Sequence, residues 1–195
     1  MTSSDPTGSE QADPLIAGRV HGFRTWDLAL DRDGRPGLVG YGETRWNGGG
    51  EPTRASCLPG DGSLPHPEGV GVPAPDCSCG LYANHPWGRD PNSDFCRVDG
   101  LGLEPDEVFG VVEAWGGLEV HAEGFRAEFA RPVALFARTG AALEWDVPSE
   151  RLAREYRSEL IHVGSVEELA SALTAFDLTL DRGFVDQLVG DRLAA

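Results

Sequence analysis

The sequence predicts an α+β fold, with a small antiparallel β-sheet or a partly open barrel followed by C-terminal helices. Two stretches of alternating apolar residues, 20–41 and 108–137, predict the sheet. A change to helical spacing after Pro148 predicts the helices. Between the two β stretches lies a long segment, residues 47–106, which holds all four cysteines of the chain.

The first β stretch reads as a hairpin. Apolar residues recur from Val20 to Leu30, a turn is predicted at Asp33-Gly34, and apolar residues resume at Leu38. Asp31, Asp33 and Gly34 are also spaced like the start of a calcium loop, but no Glu follows at the far ligand position. Turn chemistry explains them better.

The second β stretch predicts three strands, residues 108–115, 118–122 and 125–136, with turns at Gly116-Gly117 and Glu123-Gly124. The group Gly22-Phe23-Arg24 of the first stretch recurs here as Gly124-Phe125-Arg126. Three matched residues are weak evidence for a duplicated half-barrel, and coincidence explains them better.

The C-terminal third has helical spacing. Leu152, Tyr156 and Leu160 follow Pro148 at four-residue intervals, which predicts one helix with a single apolar stripe. Ser165 and Glu168 have the spacing of a capping box that opens a second helix. A third, shorter helix is predicted over residues 181–193. These helices either cover one face of the sheet or form an appendage that binds a partner.

The predicted organisation has three parts. Residues 1–14 have almost no apolar side chains and predict a disordered tail, because burial cannot offset the entropy of ordering them. Residues 15–140 form a β-rich domain that includes the cysteine-bearing loop 47–106. Residues 148–195 form the helical segment.

The chain of 195 residues is strongly acidic, with 32 Asp and Glu, 16 Lys and Arg, and a formal net charge of -16. Phosphate backbones and anionic lipid surfaces repel such a chain, so neither nucleic acid nor membranes are expected as direct partners. No apolar run is long enough to cross a bilayer, and no export signal is recognisable. We therefore expect a cytoplasmic location.

Residues 47–106 are too long for a structureless loop unless something other than a hydrophobic core holds them. Thiolate sulfur and imidazole nitrogen are the ligands that zinc prefers, and four of them close a tetrahedral site to water. The ligand set predicted for a structural zinc ion is Cys57, His66, Cys77 and Cys79. Cys96 or His85 in place of His66 is the next choice.

A weaker pattern lies on the predicted strand 118–122. Glu119, His121 and Glu123 alternate with apolar residues and would point the same way. Carboxylates beside an imidazole can make it a general base, but a solvated strand face gives the same pattern without catalysis. No phosphate-binding loop, nucleophile elbow, zinc-protease helix or complete dinucleotide motif occurs.

The chain also resembles a group of uncharacterised small proteins of actinobacteria and their phages. The resemblance rests on Cys57, His66 and the run Cys77-x-Cys79-Gly80-Leu81-Tyr82-Ala83, followed by Trp115-Gly116 and Gly124-Phe125-Arg126-Ala127-Glu128. It covers residues 22–135 and leaves out the C-terminal helices. It implies a shared compact fold anchored by the cysteines, without an assigned activity.

These observations favour a zinc-stabilised binding or adaptor module that acts through contacts with a protein partner, which the sequence does not identify. The alternatives are a small enzyme that depends on a metal or on His and Glu, and an acidic inhibitor that imitates nucleic acid.

The charge generates a first prediction. We expect no measurable affinity for random duplex DNA at physiological salt, because a net charge of -16 opposes the counterion release that drives such binding. Fluorescence anisotropy with a labelled duplex measures this directly. Tight binding that weakens as salt is raised would reveal a basic face and contradict the prediction.

Overall fold

The computed structural model describes residues 18–40, 44–57, 66, 70–74, 77–85, 107–121, 124–138 and 149–178. These residues form eight strands and two helices. In chain order they are β1 (Val20–Leu30), β2 (Pro36–Gly40), β3 (Thr44–Arg45), β4 (Thr53–Arg54), β5 (Leu81–Asn84), β6 (Glu107–Val120), β7 (Gly124–Arg138), α1 (Ser149–Tyr156), β8 (Glu159–Val163) and α2 (Val166–Thr174).

The predicted N-terminal hairpin is confirmed. Strands β1 and β2 pair antiparallel, with Leu30 opposite Pro36 and Asp27 opposite Val39. The backbone N–H groups of Asp33 and Arg35 each donate to Oδ1 of Asp31 at 2.8 Å. The hydrogen bond from Arg35 is the main cause that lowers the pKa of Asp31. Asp31 therefore shapes the turn, as the sequence predicted.

The second β stretch forms two long strands where the sequence predicted three. Strand β6 runs through Gly116-Gly117 without reversing, and Leu118 still pairs with β7, opposite Ala127. The register shifts between Trp115 and Leu118, so the two glycines form a bulge, and Gly116 has a φ of 83°. The predicted turn at Gly116-Gly117 was wrong because consecutive glycines suit a bulge as well as a turn. The turn before Gly124 is confirmed, since the N–H of His121 donates to the carbonyl of Gly124 at 2.7 Å.

The sheet is mixed and partly ring-like, but it does not close into a barrel. Strand β1 pairs with β6, β6 with β7, β7 with β5, and β5 returns to β1 through Phe23 and Asn84. Strand β8 pairs parallel to β7 and adds one parallel strand, which was not predicted, to the predicted antiparallel sheet.

Two apolar clusters lie on opposite faces of this sheet. Along β6, Val112 belongs to the first cluster and Val111 to the second, as expected when successive side chains alternate between faces. Helix α1 packs into the first cluster through Leu152 and Tyr156, and α2 packs into the second through Leu169 and Leu173. The two described helices therefore pack on both faces of the sheet, an arrangement that differs from both alternatives considered from the sequence. Up to Leu178, the C-terminal segment is part of the same core as the sheet.

The first helix ends earlier than its apolar spacing predicted. Arg157 adopts a left-handed conformation with a φ of 51°, and Ser158 donates its N–H to Ala153. The chain then enters β8, which contains Leu160. Strand β8 has apolar residues on both faces, and the four-residue spacing of one of them, Leu160, from Tyr156 is a coincidence. The predicted capping box is confirmed, because Oγ of Ser165 accepts the N–H of Glu168 at 3.2 Å. The predicted third helix lies outside the described residues.

Tyr156 generates a stability prediction because its hydroxyl connects α1 to the first hairpin. The N–H of Leu38 donates to the hydroxyl at 2.7 Å, and the hydroxyl donates to the carbonyl of Trp46 at 3.3 Å. Tyr156→Phe should lower the free energy of unfolding by about 1–3 kcal/mol, because it leaves a buried N–H without an acceptor. Tyr82→Phe is the control, since that hydroxyl bonds Ser78 at an exposed position and should cost under about 0.5 kcal/mol. Urea denaturation measures both, and equal losses would contradict the prediction.

Candidate metal centre

Three of the four predicted ligands, the cysteines, lie next to short strands that pair with one edge of β7. Strand β6 occupies the other edge, from Phe125 to Phe136. On the opposite edge, Leu81 of β5 is paired with Ala127, and Thr53 of β4 is paired with Ala130. Because Cys57 follows β4 and Cys77 and Cys79 precede β5, neighbouring positions along β7 bring the three thiols together.

The four side chains meet as the sequence predicted. The sulfur atoms of Cys57 and Cys77 are 3.6 Å apart, and the sulfur of Cys79 is 3.6 Å from Nε2 of His66. All four ligand atoms lie within 4.8 Å of one another, close enough to hold one metal ion. The cysteines are free thiols, because 3.6 Å far exceeds the length of a disulfide bond.

Of the two alternative ligands, His85 is described and is not part of this group. Its ring lies 6.1 Å from the ring of Phe125, and desolvation lowers its pKa. Cys96 lies outside the described residues. Within the described part of the chain, His66 therefore supplies the imidazole of the cluster.

The local backbone points its N–H groups at the sulfur atoms. The N–H of Ala74 donates to the sulfur of Cys79, and the N–H of Cys79 donates to the sulfur of Cys77, both at 3.4 Å. Gly80 follows with a φ of 133°, and a Cβ there would lie 2.9 Å from Cβ of Arg126. Gly80 thus allows the close bend after Cys79.

The thiols cannot all ionise together without a positive charge between them. Desolvation, followed by the neighbouring sulfur of Cys77, raises the pKa of Cys57 to about 11. Desolvation also raises the pKa of Cys79. For Cys77, desolvation acts in the same direction, but hydrogen bonds from Cys79 and Cys57 and the charge of Arg126 outweigh it and lower its pKa. A bound divalent cation would remove this conflict, because it stabilises all three thiolates at once.

Arg126 was not predicted from the sequence, although its side chain supports the backbone that carries Cys77 and Cys79. Its side chain is buried, and Nη1 donates to the carbonyls of Cys77 and Cys79, the latter at 3.1 Å. Its Nη2 forms an ion pair with Glu119. The recurring Gly-Phe-Arg group was the signal that marked this residue.

The structure explains part of the weaker pattern formed by Glu119, His121 and Glu123. Glu119 holds Arg126, and one of its carboxylate oxygens lies 3.4 Å from Nε2 of the exposed His121. Glu123 lies outside the described residues. Glu119 is thus already engaged in supporting the segment that carries Cys77 and Cys79.

Comparisons with known proteins give no match to this chain, whether with protein-family models, with curated proteins or with solved structures. The fold and the Cys/His cluster are therefore the basis for any functional conclusion.

The support from Arg126 can be tested by substitution. Arg126→Met removes the donor to two carbonyls and should lower the free energy of unfolding by about 2 kcal/mol or more. Arg54→Met is the matched control: Arg54 pairs with Glu128 at 3.3 Å but is largely exposed, so its loss should cost under about 0.5 kcal/mol. Chemical denaturation at matched metal content measures both variants. If Arg126→Met loses no more free energy of unfolding than Arg54→Met, the hydrogen bonds from Arg126 do not hold the segment that carries Cys77 and Cys79.

Proposed function

We propose that this protein is a zinc-stabilised binding or adaptor module that acts through contacts with another protein. The observation that carries the proposal is the convergence of three thiols and one imidazole on a single point. Cysteine sulfur selects soft or borderline metal ions, and a tetrahedral set of three sulfurs and one nitrogen is typical of structural zinc.

Two of the separations within the cluster agree with those of a tetrahedral zinc site. Two sulfurs at about 2.3 Å from a tetrahedral zinc ion lie about 3.8 Å apart, and a sulfur and an imidazole nitrogen lie about 3.6 Å apart. The separations of 3.6 Å between Cys57 and Cys77 and between Cys79 and His66 agree with both values to within about 0.2 Å.

The proposed site is closed, which supports a structural role. Catalytic zinc sites usually have three protein ligands and leave a position for water, whereas here four ligand atoms lie within 4.8 Å of one another. Zinc with three thiolates and a neutral imidazole carries a net charge of -1, since two positive charges face three negative ones. The buried guanidinium of Arg126, bonded to the carbonyls of Cys77 and Cys79, offsets that charge.

The proposed binding role depends on the segment around the cluster, which a bound metal would hold in one conformation. In the described chain, no helix is long and apolar enough to cross a membrane. Where the structure describes the segment around the cluster, few apolar side chains are buried, among them Ala74 and Leu81. A metal that fixes this segment gives it a defined surface for a partner without a hydrophobic core beneath it.

Metal content and its loss test the zinc proposal. Protein purified without a metal-affinity tag should carry about one zinc per chain. Cys77→Ser or Cys79→Ser should release the metal and destabilise the fold strongly, because binding free energy at a structural zinc site, on the order of 10 kcal/mol, is folding free energy. Elemental analysis and thermal unfolding with and without a chelator measure these effects.

Cys96→Ser is the matched control and should retain both zinc and stability. His66→Ala should cost less than either cysteine substitution, because water can fill the vacant position. Metal-free protein whose four thiols all react freely in the folded state would refute the zinc site.

A further inference from the structure

Two thiols of the candidate metal centre, those of Cys57 and Cys77, lie close together and are partly exposed. Their sulfur atoms are 3.6 Å apart, whereas the sulfurs of a disulfide bond are about 2.0 Å apart. An approach of about 1.6 Å would therefore join them. Because neither side chain is fully buried, a small oxidant in solution can reach both sulfurs.

The third thiol of the cluster is less accessible. The residue Cys79 is only 8% exposed, and its sulfur accepts the N–H of Ala74 at 3.4 Å. A disulfide to Cys79 would weaken that hydrogen bond, and an oxidant has less access to its sulfur. Among the described cysteines, Cys57 and Cys77 are therefore the pair that exposure and distance favour.

A bond between these two sulfurs would join the same two segments that a metal ion would join. The residue Cys57 follows β4 and Cys77 precedes β5, and both strands pair with one edge of β7. The disulfide would keep this link along β7. Of the four candidate ligands it would leave only His66 and Cys79, and a structural zinc ion needs four.

We propose that Cys57 and Cys77 form a redox switch, in which a hydroperoxide oxidises their sulfurs to a disulfide and the site loses its metal. The inference rests on the proposed zinc site and adds a form of regulation to it. In the sequence, His66 lies between the two cysteines, so its segment would lose its attachment to the metal inside a loop that the disulfide closes. The oxidised protein would keep its sheet and present a different surface to a partner.

The reaction needs only the two thiolates, one hydroperoxide and two protons from water. One thiolate attacks an oxygen of hydrogen peroxide, the O–O bond breaks, hydroxide leaves, and the sulfur becomes a sulfenic acid. The second thiolate attacks that sulfur, the S–S bond forms, and the S–O bond breaks with loss of a second hydroxide. Each sulfur loses one electron, the peroxide gains two, and both hydroxides take a proton to become water. In a reducing compartment such a disulfide is transient, as a sensor requires.

Treatment of the zinc-loaded, full-length protein with hydrogen peroxide tests the switch. We expect about one zinc released and one disulfide formed per chain, with two of the four thiols remaining. A chromogenic chelator measures the released zinc, and mass spectrometry of digested, alkylated protein identifies the bonded pair as Cys57 and Cys77. Dithiothreitol with added zinc should restore the original zinc content.

Thermal unfolding tests whether the disulfide replaces the link that the metal provides. The oxidised, zinc-free protein should melt at least about 5 °C above reduced protein from which a chelator has removed zinc. Circular dichroism measures both transitions. Equal melting temperatures would show that the disulfide does not hold the two segments, which contradicts the proposed switch.

Two ligand variants form a matched pair, because each removes one zinc ligand but only one removes a partner of the disulfide. Under peroxide, Cys79→Ser should still form the bond between Cys57 and Cys77, whereas Cys57→Ser should form at least about tenfold less disulfide. The variant Cys96→Ser should release zinc as the unaltered chain does. If the ligand variants fold poorly, the disulfide mapped in the unaltered chain decides.

Zinc analysis before oxidation separates this inference from the proposed function. Protein that carries no zinc as purified would overturn the zinc module and the switch together. Full zinc content, with the metal and all four thiols retained after peroxide, would overturn the switch alone. A disulfide to Cys79 or Cys96, or oxidation to sulfinic acid without a disulfide, would also overturn it.

Discussion

Strand β7 is the constraint on which the rest of the structure depends, because it is hydrogen-bonded along both edges. Strand β6 covers one edge, while β5, β4 and β8 follow one another along the other. Strands of two or four residues, such as β4 and β5, are not stable as isolated pairs in water. They persist here because each completes the hydrogen bonds of a long strand whose side chains are mostly buried. The order of these short strands along β7 determines which cysteines meet.

Two buried arginines hold β5 from its two sides. Arg24 on β1 donates to Tyr82, and Arg126 on β7 donates to Cys77 and Cys79. These are the equivalent residues of the two Gly-Phe-Arg groups, and their strands both pair with β5. The glycines of both groups lie against Ala83: a Cβ on Gly22 would come within 2.8 Å of its Cβ, and one on Gly124 would collide with its carbonyl. The recurrence thus has a physical basis that three matched residues could not reveal, because β5 lies far from either group in sequence.

The sequence predicted features that depend on local chemistry and failed where tertiary pairing decided the outcome. The Asp31 turn and the Ser165 cap were predictable because their hydrogen bonds join residues a few positions apart. The cluster of Cys57, His66, Cys77 and Cys79 was predictable because ligand type and segment composition pointed to the same set. Gly116-Gly117 and Leu160 were assigned wrongly, since a bulge and a parallel strand are determined by partners elsewhere in the sheet. The role of Arg126 was missed because the carbonyls of Cys77 and Cys79 that it binds leave no pattern in the sequence, so the recurring Gly-Phe-Arg group was its only signal.

The short segment from Cys77 to Asn84 connects the candidate metal centre to a cavity of about 590 Å³ beside β1. Its first residues include two of the candidate metal ligands, and its last residues, Tyr82 to Asn84, form one wall of the cavity. Only Leu81 and Ala83 of β5 are buried, so apolar burial alone holds this strand weakly. Hydrogen bonds to Arg24 and Arg126 fix its position, and a metal bound to Cys77 and Cys79 would fix the end from which it starts. The geometry of the cavity wall therefore depends on the same few bonds that hold Cys77 and Cys79 in the candidate metal centre.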